Sequence, residues 1–226
     1  MKEERLQVTK VQPLPKLVMF DLDGTLVDTV RTTASVFSQI RSNRGYSPVE
    51  PDVLKPYISR GAEDLVAAAL GEALVCRTRD LVEFRTLLAQ AEANPDEIYD
   101  GVPDVLAALA EMAVPLAIVT NKPQSLAEKL LAELKLEVFF DLILGGDAVA
   151  NKKPHRDHID TALKHFGVAA HEAVMVGDSE IDQSAALASG VKFVLFRQGY
   201  GGSALMSCQQ TTGVDEFKSV LDVLRG

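Results

Sequence analysis

Short, continuously apolar runs alternate with longer segments of helical periodicity along most of the chain. Runs that are apolar at every position are typical of parallel strands that helices cover on both faces. The pattern therefore predicts an α/β fold with a doubly wound, Rossmann-like core built on a parallel sheet. The five predicted strands are residues 17–20, 116–119, 142–144, 174–176 and 193–196.

Three helices are predicted between these strands. The first starts near Pro103, and the second carries Ser125 and Glu128 at the spacing of a capping box. The third covers residues 157–166, where apolar side chains recur on one face, and ends at Gly167. Strand and helix thus alternate as they do in an open parallel sheet.

The stretch that follows the first strand breaks this alternation. It contains no convincing strand, and its apolar residues follow helical spacing in three groups, with turn-like breaks at 45–48 and 94–95. We interpret it as an all-helical cap inserted into the core. The predicted division assigns residues 1–29 and 100–226 to the core and residues 30–99 to the cap.

Charge and composition exclude several classes of protein. The 226 residues include 23 Lys and Arg and 32 Asp and Glu, a net charge of −9 that argues against nonspecific nucleic-acid binding. No run of apolar residues is long enough to span a membrane, and the first sixteen residues lack the features of a secretory signal. We expect a cytoplasmic protein in which Cys76 and Cys208 are buried free thiols.

Residues able to carry chemistry follow the first four predicted strands. The carboxyl ends of parallel strands lie along one edge of a sheet, where open α/β folds bind ligands, so we expect these residues to converge. They are DLDGT (21–25), Thr120 with Asn121, GGD (145–147) and GDSEID (177–182), joined by Lys153 from the loop before the third helix.

Several carboxylates gathered at one edge cannot all stay charged without compensation. A hard divalent cation with oxygen ligands, Mg²⁺ above all, supplies it and also holds phosphate. We expect Asp21 and Asp178 to bind the metal directly. Asp182, one helical turn beyond Asp178, would point towards the metal's surroundings or towards Lys153. Lys153 would offset the remaining charge, and Thr120 would donate a hydrogen bond to a phosphoryl oxygen.

In this order, the motifs resemble the four motifs of the haloacid dehalogenase superfamily, and the insert after the first motif is similar to its helical-cap branch. The segments GGD (145–147), NKKPH (151–155) and GYG (199–201) resemble the phosphoglycolate phosphatase group in particular. The resemblance covers nearly the whole chain after Lys16. The aspartate at position 23 distinguishes the chain from the dehalogenase, P-type ATPase and phosphonate-cleaving branches, which carry other residues there.

The resemblance implies a mechanism. Asp21 would be the nucleophile that attacks phosphorus and forms an aspartyl-phosphate. Asp23 would protonate the leaving alkoxide and then activate water, while its backbone carbonyl binds Mg²⁺. Thr120, Asn121 and Lys153 would bind the substrate and stabilise charge on the transferring group. The cap would close over the site and exclude bulk water.

The resemblance also implies that the cap segment 57–62 faces the site and selects the leaving group. Arg60 within it either pairs with a substrate carboxylate, such as that of glycolate, or is a surface charge. Arg60 and Arg156 depart from the group's pattern, which has a small polar residue and a proline at these positions. The four histidines, His155, His158, His165 and His171, are expected to be surface residues rather than a zinc site.

The favoured function is Mg²⁺-dependent hydrolysis of a small phosphorylated metabolite, most similar to that of a phosphoglycolate phosphatase. Two alternatives stay open. A phosphomutase of the β-phosphoglucomutase type would keep the phosphoryl group and need a bisphosphate activator. A binding or regulatory protein on a phosphatase scaffold would not need the full set of Asp21, Asp23, Lys153 and Asp178, which this chain retains. We expect a monomer or a homodimer.

Overall fold

A computed structural model describes residues 13–201 and 210–226 of the chain. Its centre is a sheet of parallel strands in the order β3-β2-β1-β4-β5-β6. The strands are β1 (Leu17–Phe20), β2 (Leu116–Val119), β3 (Leu142–Leu144), β4 (Ala173–Gly177), β5 (Lys192–Phe196) and β6 (Thr211–Val214). The prediction of a parallel α/β sheet is confirmed.

Helices cover both faces of this sheet. In the described residues the helices are α1 (Val30–Asn43), α2 (Pro51–Ile58), α3 (Ala62–Leu70), α4 (Arg77–Gln90), α5 (Val102–Glu111), α6 (Gln124–Glu133), α7 (Asp157–Phe166), α8 (Glu180–Ala188) and α9 (Ser219–Arg225). None of these helices is both long and apolar enough to cross a lipid bilayer.

The side chains of β1 alternate between the two layers of helices. Val18 and Phe20 belong to an apolar cluster with α5, α6 and α9. Leu17 and Met19 belong to a second cluster, with α7 and α8 on the opposite face. Because both faces are covered, every residue of β1 is fully buried, which explains the uninterrupted apolar run in the sequence.

Helices α1 to α4 share a third apolar cluster, separate from the two that flank the sheet. The rings of Phe37 in α1 and Phe84 in α4 stack at its centre, with 4.2 Å between their centroids. The helical insert is thus present where the apolar spacing indicates it. The division of the chain at residues 30 and 99 stays a prediction.

Several local expectations are wrong. No capping box forms at Ser125, because the N-cap of α6 is Pro123, two residues earlier, and Ser125 lies inside the helix. The Gln124 N–H instead donates to the Asp147 carboxylate, 2.7 Å away in a neighbouring loop. Cys76 is exposed rather than buried, since it lies in the loop that enters α4, and Cys208 lies outside the described residues.

Three elements lack a clear sequence signal. Helix α2 carries Pro56 in its interior, strand β6 is short and contains Gly213, and α9 is only seven residues long. Proline and glycine lower the expectation of regular structure, and contacts with the rest of the fold outweigh that local preference here.

The strand order reverses between β1 and β4, which pair directly with Phe20 opposite Val176. The Asp21 N–H continues this pairing by donating to the Val176 carbonyl at 2.9 Å. Asp21 and Asp178 therefore emerge side by side at the carboxyl edge of the sheet. This is the switch point at which open α/β folds bind their ligands.

Candidate active site

Three buried aspartates gather at this switch point. One carboxylate oxygen from each of Asp21, Asp178 and Asp182 lies within 4.8 Å of those of the other two. Each of the three residues is at most 3% exposed. This set of hard oxygen donors at short mutual distance matches what a divalent cation such as Mg²⁺ prefers.

Asp178 is held by the loops after β1 and β5. Its Oδ1 accepts a hydrogen bond from the Thr25 hydroxyl at 3.1 Å, and its Oδ2 accepts one from the Tyr200 N–H at 2.6 Å. Gly24 passes so close that a Cβ there would lie 2.6 Å from Asp178 Oδ2, and its φ of +89° also favours glycine. The DLDGT turn therefore needs its glycine to let Asp178 reach the site.

Asp182 has a full set of partners at the start of α8. Its Oδ2 accepts hydrogen bonds from the hydroxyl and N–H of Ser179 at 2.6 and 3.1 Å, and from the Asp178 N–H at 3.3 Å. Its Oδ1 lies 2.6 Å from Lys153 Nζ. Of the two orientations that the sequence leaves open for Asp182, the structure shows the one towards Lys153.

Lys153 places its ammonium group among these carboxylates. Nζ donates to Asp21 Oδ1 at 2.9 Å, to Asp182 Oδ1 at 2.6 Å and to the Val119 carbonyl at 2.5 Å. Burial works to lower the pKa of Lys153, but Asp182 and Asp21 outweigh it and raise the pKa above its ordinary value. Lys153 is therefore a permanent cation with all three of its N–H donors in use.

One lysine does not compensate three buried carboxylates. Burial raises the pKa of Asp21 from 3.8 to about 7, in opposition to Lys153 and with a further contribution from Asp182. Burial also raises the pKa of Asp178 well above its usual range, and Asp182 and Asp21 add to this effect. The positive charge of Lys153 is thus too little for the three carboxylates, so the site fits a bound cation in charge as well as in donor type.

Asp23 faces away from this cluster, towards the cap. Its carboxylate accepts from Lys122 Nζ at 3.0 and 3.2 Å and from the Thr29 hydroxyl at 2.5 Å. Lys122 directly follows Asn121 in the loop after β2. Lys122 is not among the residues that the sequence motifs indicate, although its adjacency to Thr120 and Asn121 places it at the same edge of the sheet.

Thr120 and Asn121 precede Lys122 in the loop after β2, and both are buried. The Thr120 hydroxyl accepts from the Lys122 N–H at 3.2 Å. The Asn121 amide donates to the carbonyls of Ser59 and Lys153 at 3.0 and 2.8 Å, so it joins the loop between α2 and α3 to the core. In the described part of the chain, Asn121 Oδ1 is buried without a hydrogen-bond partner.

Arg60 lies at the rim of the site rather than beside Asp21 or Asp23. Its guanidinium is 3.6 Å from the Glu180 carboxylate at the start of α8 and stacks over the Tyr57 ring at 5.6 Å. The side chain is 44% exposed. Its expected contact with substrate stays a prediction. Arg156 is exposed and pairs with Asp160 on the first turn of α7.

Tyr200 connects the aspartate cluster at the carboxyl edge of the sheet to the start of α1. Its hydroxyl donates to Asp28 at 2.9 Å and accepts from the Val30 N–H at 3.1 Å, while its own N–H holds Asp178. From the sequence, the GYG segment is notable only for its family resemblance. The glycines on either side of Tyr200 are the sequence signal that this loop packs against Asp178, because at both positions a Cβ would collide with that residue.

His158 is fully buried, so the expectation that all four histidines lie on the surface is wrong for this residue. It lies on the face of α7 that packs against the sheet. Nδ1 accepts a hydrogen bond from the Lys153 N–H at 3.4 Å, and Nε2 lies 3.1 Å from the Leu144 carbonyl. These contacts fix the neutral ring with a proton on Nε2, which supports the backbone of Lys153.

His158 gives the protein a specific dependence on pH. Burial lowers the pKa of His158 from 6.5 to about 3, and Lys153 adds to the effect. Below pH 6.5 only the unfolded chain takes up this proton, so the stability present above pH 6.5 is lost as the pH falls towards 3. The loss is about 1.4 kcal/mol per pH unit between pH 6 and 4.

The measurement is urea unfolding at pH 7, 6, 5 and 4 for the wild type and His158→Gln, which cannot titrate there. We expect the unfolding free energy of the wild type to fall relative to that of His158→Gln as the pH falls. The exposed His165→Gln is the matched control, and its curve should run parallel to that of the wild type. Parallel curves for His158→Gln would contradict the assignment of a neutral buried ring.

Comparison with known proteins gives consistent results. A family described as haloacid dehalogenase-like hydrolase matches residues 18–196. The phosphoglycolate phosphatase of Pseudomonas savastanoi pv. phaseolicola is 38% identical over 215 residues, which cover 92% of this chain and 79% of that protein. The phosphoglycolate phosphatase of Aliivibrio fischeri is 34% identical over 221 residues, with 92% and 96% covered.

A solved structure agrees with the sequence relatives. The crystal structure of a predicted phosphoglycolate phosphatase from Haemophilus somnus superposes with a TM-score of 0.84 at 25% identity, covering 92% of this chain and 97% of that one. The similarity extends over the sheet, the helices on its two faces and the helical insert, since nearly all of both chains is matched.

Proposed function

Because the chain belongs to the haloacid dehalogenase-like hydrolases and is a phosphatase of that family, we propose that it hydrolyses a small phosphate monoester through a covalent intermediate on Asp21. The observation that carries the proposal is the placement of Asp21. Its carboxylate lies at the switch point of the sheet, bonded to Lys153 and next to Asp178. A transferring phosphoryl group needs a nucleophile with fixed positive charge beside it, and the ion pair between Asp21 and Lys153 supports this role for Asp21.

Mg²⁺ would be held by the carboxylates of Asp21 and Asp178 and the backbone carbonyl of Asp23. When bound, it would neutralise charge on the phosphoryl oxygens and compensate the buried carboxylates. Asp182 would support the site indirectly by holding Lys153, whose Nζ lies 2.6 Å from Asp182 Oδ1.

The chain's own residues account for the atoms and charges of the reaction. In the first step an oxygen of Asp21 forms a bond to phosphorus while the bond between phosphorus and the ester oxygen breaks. Asp23 gives its proton to the departing alkoxide. In the second step water attacks phosphorus and passes a proton to Asp23, so that phosphate leaves and Asp21 is restored. Thr120 would donate to a phosphoryl oxygen as charge builds on the transferring group, and Lys153 would do so by exchanging one of its three present hydrogen bonds.

The substrate we propose is phosphoglycolate, the substrate named for the relatives at 30–38% identity. Phosphate release measured with Mg²⁺ across phosphoglycolate, sugar phosphates, nucleotides and pyrophosphate tests this assignment. Preference for phosphoglycolate is the expected result. Turnover that requires a sugar bisphosphate activator and yields little free phosphate would instead indicate a phosphomutase. A cytoplasmic location and a monomeric or homodimeric state remain predictions.

Mg²⁺ should stabilise the folded protein, because it binds a site that the unfolded chain lacks. At about 100 times its dissociation constant the gain is roughly 2.7 kcal/mol, which raises Tm by about 5–10 °C. In Asp178→Asn, Mg²⁺ should raise Tm by only a small fraction of the wild-type increase, since the variant loses a charged ligand. Differential scanning fluorimetry with and without Mg²⁺ measures the increment without relying on activity.

The control for this experiment is Asp147→Asn. Asp147 follows β3 at the same edge and carries the same charge, but its carboxylate turns to the Gln124 N–H instead of the site. Mg²⁺ should raise the Tm of Asp147→Asn by as much as it raises that of the wild type. A wild-type melting curve that does not respond to Mg²⁺, or equal increments in the two variants, would count against the proposed metal site.

A further inference from the structure

We propose that Lys122 is the residue that selects a carboxylate on the leaving group, an inference that rests on the proposed function and assigns its specificity. The first observation is how Lys122 lies in the fold. Its side chain is only 10% exposed, and Nζ contacts both oxygens of Asp23. Burying a lysine to this extent costs free energy unless the ammonium has a partner. A surface charge that only aids solubility would not need such a position.

The position of Lys122 relative to Asp23 determines which part of a substrate it meets. Asp23 must come within hydrogen-bond reach of the ester oxygen to protonate it. Nζ lies 3.0 Å from Asp23 Oδ1. The ester oxygen and Nζ are then at most about 6 Å apart, given a hydrogen bond of about 2.8 Å on the acid side. A carboxylate one carbon from the ester oxygen falls within reach of Nζ.

The walls of the cleft support a small leaving group with one charged end. Asp23 and Lys122 line it together with apolar side chains of the cap and of α6, while Lys153 is not among the lining residues. Asn121, Thr33 and Arg85 contribute the other polar side chains of the lining. The apolar lining consists of Ile58, Ala62, Leu65, Phe84, Leu88, Pro123 and Leu126.

The two buried lysines thus divide the charges of the substrate between them. Lys153 has all three N–H donors committed to Asp21, Asp182 and a backbone carbonyl on the phosphoryl side. Lys122 has the Asp23 carboxylate as its side-chain partner in the described residues. Since an ammonium carries three donors, Lys122 can bind a carboxylate while it keeps a contact with Asp23.

Other cations near the cleft are less suited. Arg60 is 44% exposed and pairs with Glu180 outside this lining. Arg85 of α4 reaches the lining, but it is exposed to solvent. A charge that water already surrounds discriminates weakly between a charged and a neutral ligand, whereas a desolvated one discriminates strongly.

The experiment compares two substrates of nearly equal size, phosphoglycolate and 2-hydroxyethyl phosphate, which carries a hydroxyl in place of the carboxylate. The measured quantity is the ratio of their kcat/KM values. We expect Lys122→Met to lower this ratio about 10- to 100-fold, mainly through KM for phosphoglycolate, and Lys122→Arg to restore part of it. Lys129→Met removes the same charge from α6, where Lys129 pairs with Glu133, and should keep the wild-type ratio.

The outcomes separate this inference from the function on which it rests. Wild-type protein that releases phosphate from neither ester would overturn both. Wild-type protein that prefers phosphoglycolate, with Lys122→Met lowering kcat/KM for both esters by the same factor, would overturn the role of Lys122 alone. Loss of the preference in Arg60→Met but not in Lys122→Met would assign the carboxylate to Arg60 instead.

Discussion

Asp21→Asn is expected to abolish phosphate release, with a fall in kcat of about 10⁴-fold or more, because an amide oxygen is too weak a nucleophile to form the acyl-phosphate. The substitution keeps the shape of the side chain and an oxygen that can accept from Lys153 Nζ, now 2.9 Å from Asp21 Oδ1. The loss therefore reports on the chemistry of the carboxylate rather than on the geometry around it.

The same variant should be more stable than the wild type in metal-free buffer at pH 8. The folded-state pKa of Asp21, about 7, lies above its ordinary value of 3.8 because the group is buried. The stability that protonated Asp21 contributes is therefore complete below pH 3.8 and lost as the pH rises through 7. At pH 8 the wild type holds a charged, buried carboxylate, which asparagine replaces with a neutral group.

One measurement tests the loss of activity in Asp21→Asn, and a second tests its stability. Single-turnover reactions with ³²P-labelled phosphoglycolate, quenched in acid, should leave label on the wild-type protein and none on Asp21→Asn. Thermal melting at pH 8 should give the variant a Tm no lower than that of the wild type. Turnover at the wild-type rate in the variant would refute the covalent step, and a large loss of Tm would mean that the missing activity reflects misfolding.

The position of the site could be predicted from the sequence to a large extent. Continuous apolar runs indicate parallel strands. In a parallel sheet the residue after each strand lies at the carboxyl edge, whatever the conformation of the loops that follow. Asp21 and Asp178 meet for this reason, and Lys153 joins them because its loop starts from the same edge. These positions follow from the backbone topology.

Side-chain partners could not be predicted in the same way. Whether Asp182 faces the expected metal position or Lys153, and whether Lys122 points to solvent or to Asp23, depends on how loops far apart in sequence pack together. Tyr200 and Val30 are 170 residues apart, and their hydrogen bond exists only once the loop after β5 has met the start of α1. Local periodicity carries no information about such contacts.

Lys153→Met should be the most destabilising of the substitutions considered. It leaves Asp21 and Asp182 without the ammonium that lies 2.9 and 2.6 Å from them, in a site where Lys153 itself is 2% exposed. Removing one partner from a buried ion pair costs about 3–5 kcal/mol, a large part of the 5–15 kcal/mol that stabilises a typical domain. We expect Tm to fall by about 10 °C and phosphate release to be lost.

The matched control is Lys152→Met, which removes the same charge from the adjacent position. Lys152 Nζ lies near Gly61 at the rim and is partly exposed, so Tm should change little. Urea unfolding at pH 8 without metal compares the two variants with the wild type. Equal, small losses for both lysines would contradict the view that Lys153 neutralises the cluster.

A double variant separates the electrostatic role of Lys153 from its role in catalysis. Adding Asp182→Asn to Lys153→Met returns the charge of the three-aspartate cluster to its wild-type value, and asparagine can still accept from Ser179. We expect the double variant to regain much of the lost Tm, because fewer buried carboxylates repel each other. Phosphate release should stay absent, since no ammonium remains to hold the phosphoryl group beside Asp21. Recovery of activity together with stability would show that Lys153 acts only as a counter-ion, and the proposed contact with the transferring group would have to be abandoned.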